Sequence, residues 1–188
     1  PTSFGDGAAL VKDRGWGRWR LLDRHGTTMG VRVLSSAETG GLSMGPRDLE
    51  KLWEEHLAGE FSTKDVEATL ATMTDDASVD HVPVHSGGRG KESLRAFYRD
   101  VFIPSWPDDL EQIPINRVVG DGQLVDEIRT RFTHDRPMEW FLPGVPPTHK
   151  TVEIDIIVVV QFRGDKITCE RIYWDQATVL RQVGLLRD

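Results

Sequence analysis

From Met44 onward the hydrophobic positions fall into clear periods. In RDLEKLWEEHLAG the residues Leu49, Leu52, Trp53, His56 and Leu57 share one helical face, behind a Gly45-Pro46 start. STKDVEATLATM repeats the pattern with Val66, Leu70 and Met73, and opens on a capping-box-like pair, Ser62 and Asp65. A strand pattern, ASVDHVPV, follows, then a turn at SGGRG. A third helix, KESLRAFYRDVFI, turns Leu94, Phe97, Tyr98 and Val101 inward and is broken by PSWPDD.

The second half alternates with a period of two. EQIPINRVVG and QLVDEIRTRFTHD flank a turn at Asp121-Gly122. MEWFLPGVPPTHK is a proline-rich loop. TVEIDIIVVVQF and KITCERIYWD flank Arg163-Gly164-Asp165, and QATVLRQVGLL is a last helix with Val179, Leu180 and Val183 on one face. Helices first and a run of strands afterwards predict an α+β fold, a bent sheet wrapped over helices into a cone with a pocket inside. TVEIDIIVVVQF carries apolar residues on both faces through Ile156–Val160. That pattern predicts burial of the outer face in a homodimer.

Residues 1–43 differ. They hold 8 of the 18 glycines and no clean period, and their 6 basic and 4 acidic residues give +2 in a chain of net charge −7. They read as an N-terminal extension of uncertain structure before a domain at 44–188. LLDRHGTTMGVRVL is a candidate hairpin turning at His25-Gly26, and Met44 a candidate native first residue.

Composition narrows the classes. The acidic balance argues against nucleic acid as the main partner. No apolar run reaches the roughly 20 residues of a membrane span, no signal-peptide pattern opens the chain, and a cytoplasmic home is expected. The single cysteine, Cys169, excludes an internal disulfide and a cysteine-based zinc site. With no HExxH, no tight His/Asp grouping and no phosphate loop, neither metal nor cofactor is expected.

LATMTDDASVDHVPVHSGGRGKESLRAFY, followed by LPGVPPTHKTVEIDIIVVVQFRGDKITCERIYWDQATVLRQVGLL, resembles the SnoaL-like polyketide cyclase family of the NTF2-like superfamily over about residues 46–186. Its marks are the acidic loop before a strand, the PPTG-like loop, and an aromatic-acid pair followed seven residues later by glutamine, here Asp175 to Gln182. The glycine expected after Thr148 is His149, and residues 1–43 have no counterpart. Members include cyclases, isomerases, hydrolases and non-enzymatic binding domains. The resemblance implies a small hydrophobic ligand and gives an acid at the end of the last strand, Asp175, the role of general acid/base. Beside Tyr173 and Trp174 such a carboxyl is expected to face the pocket with a raised pKa. The competing reading is an N-cap of the last helix, which would lower it.

His81 and His134 are the further catalytic candidates, able to orient a carbonyl or share a proton. His134 shares a strand face with Asp126, Ile128, Thr130 and Phe132. Asp126, Tyr173, Trp174 and Trp140 are expected to contact substrate. His25, His56, His85 and His149 read as surface, helix or loop residues. The function expected is cofactor-independent cyclisation, isomerisation or hydration of a carbonyl compound, and the rival is a non-catalytic ligand-binding or dimerisation module.

Overall fold

The computed structural model describes residues 45–187, together with three short strands within residues 3–22. The chain divides into two compact units, Pro1–Gly40 and Gly41–Asp188. In the first, β1 (Ser3–Phe4), β2 (Ala8–Lys12) and β3 (Trp19–Leu22) pair antiparallel in that order. The turn of the hairpin expected in LLDRHGTTMGVRVL lies outside the described residues.

The second unit opens with α1 (Pro46–Leu57). The Asp48 carboxylate accepts the Gly45 N–H at 3.3 Å, holding the first turn. Where the sequence predicts the helix to stop, a π-helical turn, Ala58–Ser62, carries it on. Gly59 permits this: a Cβ there would stand 2.6 Å from Thr69 Oγ1, so the turn lies hard against α2 (Val66–Ala71). Asp65 caps α2 through the N–H groups of Glu67 (2.9 Å) and Ala68 (3.1 Å). Ser62 falls in the π turn and Met73 in the next strand, so this helix is shorter than its pattern suggests.

Strands β4 (Met73–His81), β5 (Ser86–Arg89), β6 (Glu111–Gly120), β7 (Gln123–Thr133), β8 (Thr151–Arg163) and β9 (Lys166–Tyr173) form a six-stranded sheet, ordered β5-β4-β9-β8-β7-β6. Only the β4–β9 pair among them is parallel. SGGR, expected as a turn, is instead a strand. Its two glycines suit close pairing, because a Cβ on Gly87 (φ 134°) would overlap the Val79 carbonyl of β4.

Between β5 and β6 run α3 (Lys91–Phe97), a π turn (Tyr98–Phe102) and a 3₁₀ turn (Ile103–Ser105). The chain of the second unit ends in α4 (Gln176–Gln182). Burial alternates along β7 and β8, with Leu124, Asp126, Ile128, Thr130, Phe132 and then Val152, Ile154, Ile156, Val158 and Val160 facing the core. The loop before β8 is core as well: Met138, Trp140, Phe141 and Leu142 are buried. Its exit passes through His149 at φ 54°, a left-handed conformation that explains why glycine suits this position. Helices packed on one mixed, antiparallel-rich sheet make an α+β fold, as the order of elements implies.

Replacing Gly87 by Ala should cost about 3 kcal/mol, from left-handed strain and the clash with Val79. Urea unfolding measures it. A midpoint unchanged from wild type would show that β5 does not pair with β4 as described.

Candidate active site

A cavity lies between the helices and the concave face of the sheet. About 50 Å³ of it is free to a water-sized sphere, room for roughly four waters. The wall is mostly apolar and aromatic, with Trp53, Phe61, Phe102, Trp106 and Trp140. The polar groups in it are few: Glu60, His81, Tyr98, Gln112, Thr130 and Glu170. An outer groove, with Lys64, Asp108 and Leu110, shares Glu60, Phe61, Trp106 and Gln112 with the cavity and so forms its mouth.

One charged cluster borders this space. His56, Glu60 and Glu170 are 0%, 5% and 3% exposed. His56 comes from the apolar stripe of α1, where its ring stacks on Trp53 with centroids 5.4 Å apart. Glu60 sits four residues on, in the π turn, and Glu170 projects inward from β9. Thr72 Oγ1 donates to the Thr69 carbonyl at 2.6 Å, so toward His56 Nδ1, 2.7 Å away, it can only accept. Nδ1 therefore carries a proton, and Nε2 is turned to both carboxylates, with Oε1 of each at 3.2 Å. The hydrogen bond goes to Glu60, and Glu170 Oε1 is buried without a hydrogen bond, in ion-pair range of the ring.

Burial would pull the His56 imidazole down, but Glu170 and Glu60 outweigh it and raise the pKa to about 9. Burial pushes the Glu170 carboxyl up to about 7, with His56 opposing and Glu60 adding to the shift. The Tyr98 phenol rises well above its ordinary value, by burial first and the two carboxylates second, and stays a neutral hydroxyl.

His81, at the end of β4, lines the same cavity. Its Nδ1 is 3.2 Å from the Ser86 carbonyl, which can only accept, so Nδ1 holds the proton and Nε2 the lone pair. Rings of Trp140 (4.8 Å), Phe97 (5.6 Å) and Phe102 (5.6 Å) surround it. Burial lowers its pKa to about 4, which keeps it neutral.

The model of the SnoaL-like domain family matches residues 53–170, well over half of the chain. The chain belongs to the SnoaL-like family. Solved structures agree on the fold. TsrD from Streptomyces laurentii has a TM-score of 0.61 at 18% identity, over 77% of this chain and 100% of that one. A candidate SnoaL-like polyketide cyclase from Jannaschia sp. CCS1 has 0.59 at 19%, over 78% and 100%. A protein of ketosteroid isomerase-like fold from Catenulispora acidiphila, in complex with trimethylamine, has 0.54 at 14%, over 72% and 94%. No curated protein matches the chain.

Within this SnoaL-like domain the expected site residues separate. His81 and Trp140 line the cavity; Asp126, His134, Tyr173, Trp174 and Asp175 do not. Asp175 is exposed and caps α4, accepting from Ala177 N (3.0 Å), Thr178 N (3.3 Å) and Thr178 Oγ1 (2.6 Å). The Thr178 hydroxyl, more than any other group, holds its pKa below the ordinary 3.8, the reverse of the expected shift. Asp126 is buried but spent on Trp53 Nε1 (2.8 Å) and the Arg117 guanidinium (2.8 and 3.1 Å), so it ties α1 and β6 to β7. His134 accepts the Thr148 N–H at 3.3 Å and joins β7 to the loop before β8. Tyr173 lies on the outer face of β9 under Arg171. Trp174 is buried behind the wall, its Nε1 donating to Gln176 Oε1 at 2.6 Å.

The residues missed are His56, Glu60 and Glu170. Their signals are present: His56 lies on the stripe with Trp53, Glu60 stands at i+4 from it, and Glu170 shares a strand face with Ile172 and Trp174.

The His81 shift makes a pH prediction. Its folded pKa lies below its ordinary 6.5, so its contribution to stability is full above 6.5 and is lost as pH falls toward 4. From pH 7 to 4.5, wild type should lose about 2 kcal/mol more stability than His81→Phe. Chemical denaturation at both pH values tests this, and equal losses in the two proteins would show that His81 is not desolvated.

Proposed function

We propose that the chain binds a small hydrophobic carbonyl compound in this cavity and performs cofactor-independent acid/base chemistry on it. The observation that carries this reading is Glu170 Oε1: a carboxyl oxygen, buried, without a hydrogen-bond partner, on the wall of an apolar cavity. Two further buried polar atoms without partners, Thr130 Oγ1 and Trp106 Nε1, belong to the same wall and supply hydrogen-bond donors for a substrate oxygen. In the step proposed, the Glu170 carboxylate takes a proton from the carbon beside the carbonyl. The C–H electron pair moves onto the carbonyl oxygen as an enolate. The protonated Glu170 then returns the proton to another carbon, giving an isomer; where the enolate carbon instead attacks a second carbonyl of the same molecule, that C=O pair moves onto its oxygen, Glu170 protonates the oxygen, and a ring is closed. His56, with Nε2 3.2 Å from the same oxygen, keeps the carboxyl in place.

The small free volume favours a second reading, a binding module without turnover, since any ring-sized guest must displace a side chain at the mouth such as Phe61. Conversion of cyclohex-3-enone to its conjugated isomer, followed by absorbance, separates the two. Wild type should accelerate it, Glu170→Gln should be about 10²–10⁴-fold slower, and Asp175→Asn should match wild type. No acceleration, or equal rates in wild type and Glu170→Gln, would sink the enzymatic reading.

We place the activity in residues 44–188, which contain the cavity's lining residues among those described, and in the cytoplasm. Among the described residues no helix is long and apolar enough to cross a membrane. We also propose a homodimer through the outer face of the sheet, where Val118 and Ile113 are 59% and 53% exposed beside half-buried Val125, Ile157 and Val159. Sedimentation at micromolar concentration should give twice the chain mass; a monomer alone would end this proposal.

A further inference from the structure

We propose that His56, Glu60 and Glu170 form a binding site for one divalent transition-metal ion, with the imidazole and both carboxylates as its protein ligands. The ligand atoms already lie within 4.8 Å of one another. A metal at the usual 2.0–2.2 Å from nitrogen and oxygen sets them about 2.9 Å apart at a right angle and about 3.4 Å apart at a tetrahedral angle. The two nitrogen-to-oxygen separations here, both 3.2 Å, fall between those limits.

Three further features point the same way. Glu170 Oε1 is buried and accepts no hydrogen bond, its near neighbour, at 3.2 Å, being the His56 Nε2 that would share the cation with it. The other imidazole nitrogen is fixed by Thr72, itself fixed by Thr69, the outer-shell support that metal-bound histidines usually have. And Glu60 belongs to both the inner cavity and the outer groove, which gives an ion a route in and leaves open coordination positions facing the cavity. Two buried carboxylates against one imidazole also leave excess negative charge in an apolar surround, which a divalent cation offsets. One nitrogen and two carboxylate donors suit Zn²⁺, Co²⁺, Mn²⁺ or Fe²⁺ better than Ca²⁺ or Mg²⁺, which prefer oxygen alone.

The site shares Glu170 with the acid/base chemistry proposed above. In the cation-bound form Glu170 is a ligand and holds no transferable proton, so the ion and the proton are alternative occupants.

The test uses the full, untagged chain after dialysis against EDTA and then chelator-free buffer. Titration with Co²⁺ should saturate at one ion per chain with a visible ligand-field spectrum, and Zn²⁺ should displace it. Zn²⁺, but not Mg²⁺, should raise the Tm. His56→Gln and Glu60→Gln should abolish the spectrum, and Thr72→Val should weaken binding about 10–100-fold. If His56→Gln fails to fold, Glu60→Gln and Thr72→Val carry the comparison. No saturable spectrum, or one that survives Glu60→Gln unchanged, overturns the proposal. Zn²⁺ should also inhibit cyclohex-3-enone conversion. Conversion by a chain that binds no cation overturns the metal site alone; cation binding without conversion supports it and removes only the acid/base reading.

Discussion

The interior of this protein is organised around an imidazole held between two carboxylates. Each of these groups is costly to bury alone. Together, with Thr72 closing the far nitrogen, they are tolerable, and each is supplied by a different piece of the fold: α1, the π turn that prolongs it, and β9. Removing the imidazole would leave two carboxylates facing each other in an aromatic surround. The arrangement therefore constrains the helix-to-sheet distance, the phase of the π turn and the inward face of the last strand at once. It also divides the cavity's polar groups into two kinds. His81 is a lone neutral ring among aromatics, whereas Glu170 is set beside both an opposite and a like charge.

Much of the fold was legible in the sequence because the apolar periods were strong. Helices before strands, alternation along β7 and β8, and inward Leu94, Phe97 and Tyr98 all follow from spacing alone. The site was less legible, and β9 shows why. Alternation correctly sorts Glu170, Ile172 and Trp174 from Arg171, Tyr173 and Asp175, but it carries no sign: nothing in a period of two says which set faces in. An acid placed after two aromatics drew the reading to Asp175, yet the strand ends at Tyr173, and a residue beyond it is free to turn and cap the next helix.

His56 and Glu60 were hidden for another reason. A histidine on an apolar stripe reads as core or surface according to partners that lie far along the chain. The π turn, which sets Glu60 beside it, follows from packing of Gly59 on Thr69, a tertiary contact. The buried loop Met138–Leu142 is a similar case, since proline-rich sequence marks irregular backbone without saying whether it covers the core or fills it.

The parallel pairing of β4 with β9 has a kinetic side. Ser78 lies opposite Cys169, and Glu170 stands 114 positions after His56, so the central contacts of the sheet and of the charged cluster are among the longest-range in the chain. Closing such loops is slow. During synthesis α1, α2 and α3 and strands β4 to β8 emerge before the strand that completes them. Until then, the concave face and its two early charges stay open to water. The cavity is thus the last part of the molecule to come into being, and a chain truncated before Lys166 would hold nearly all of its wall residues with no room enclosed by them.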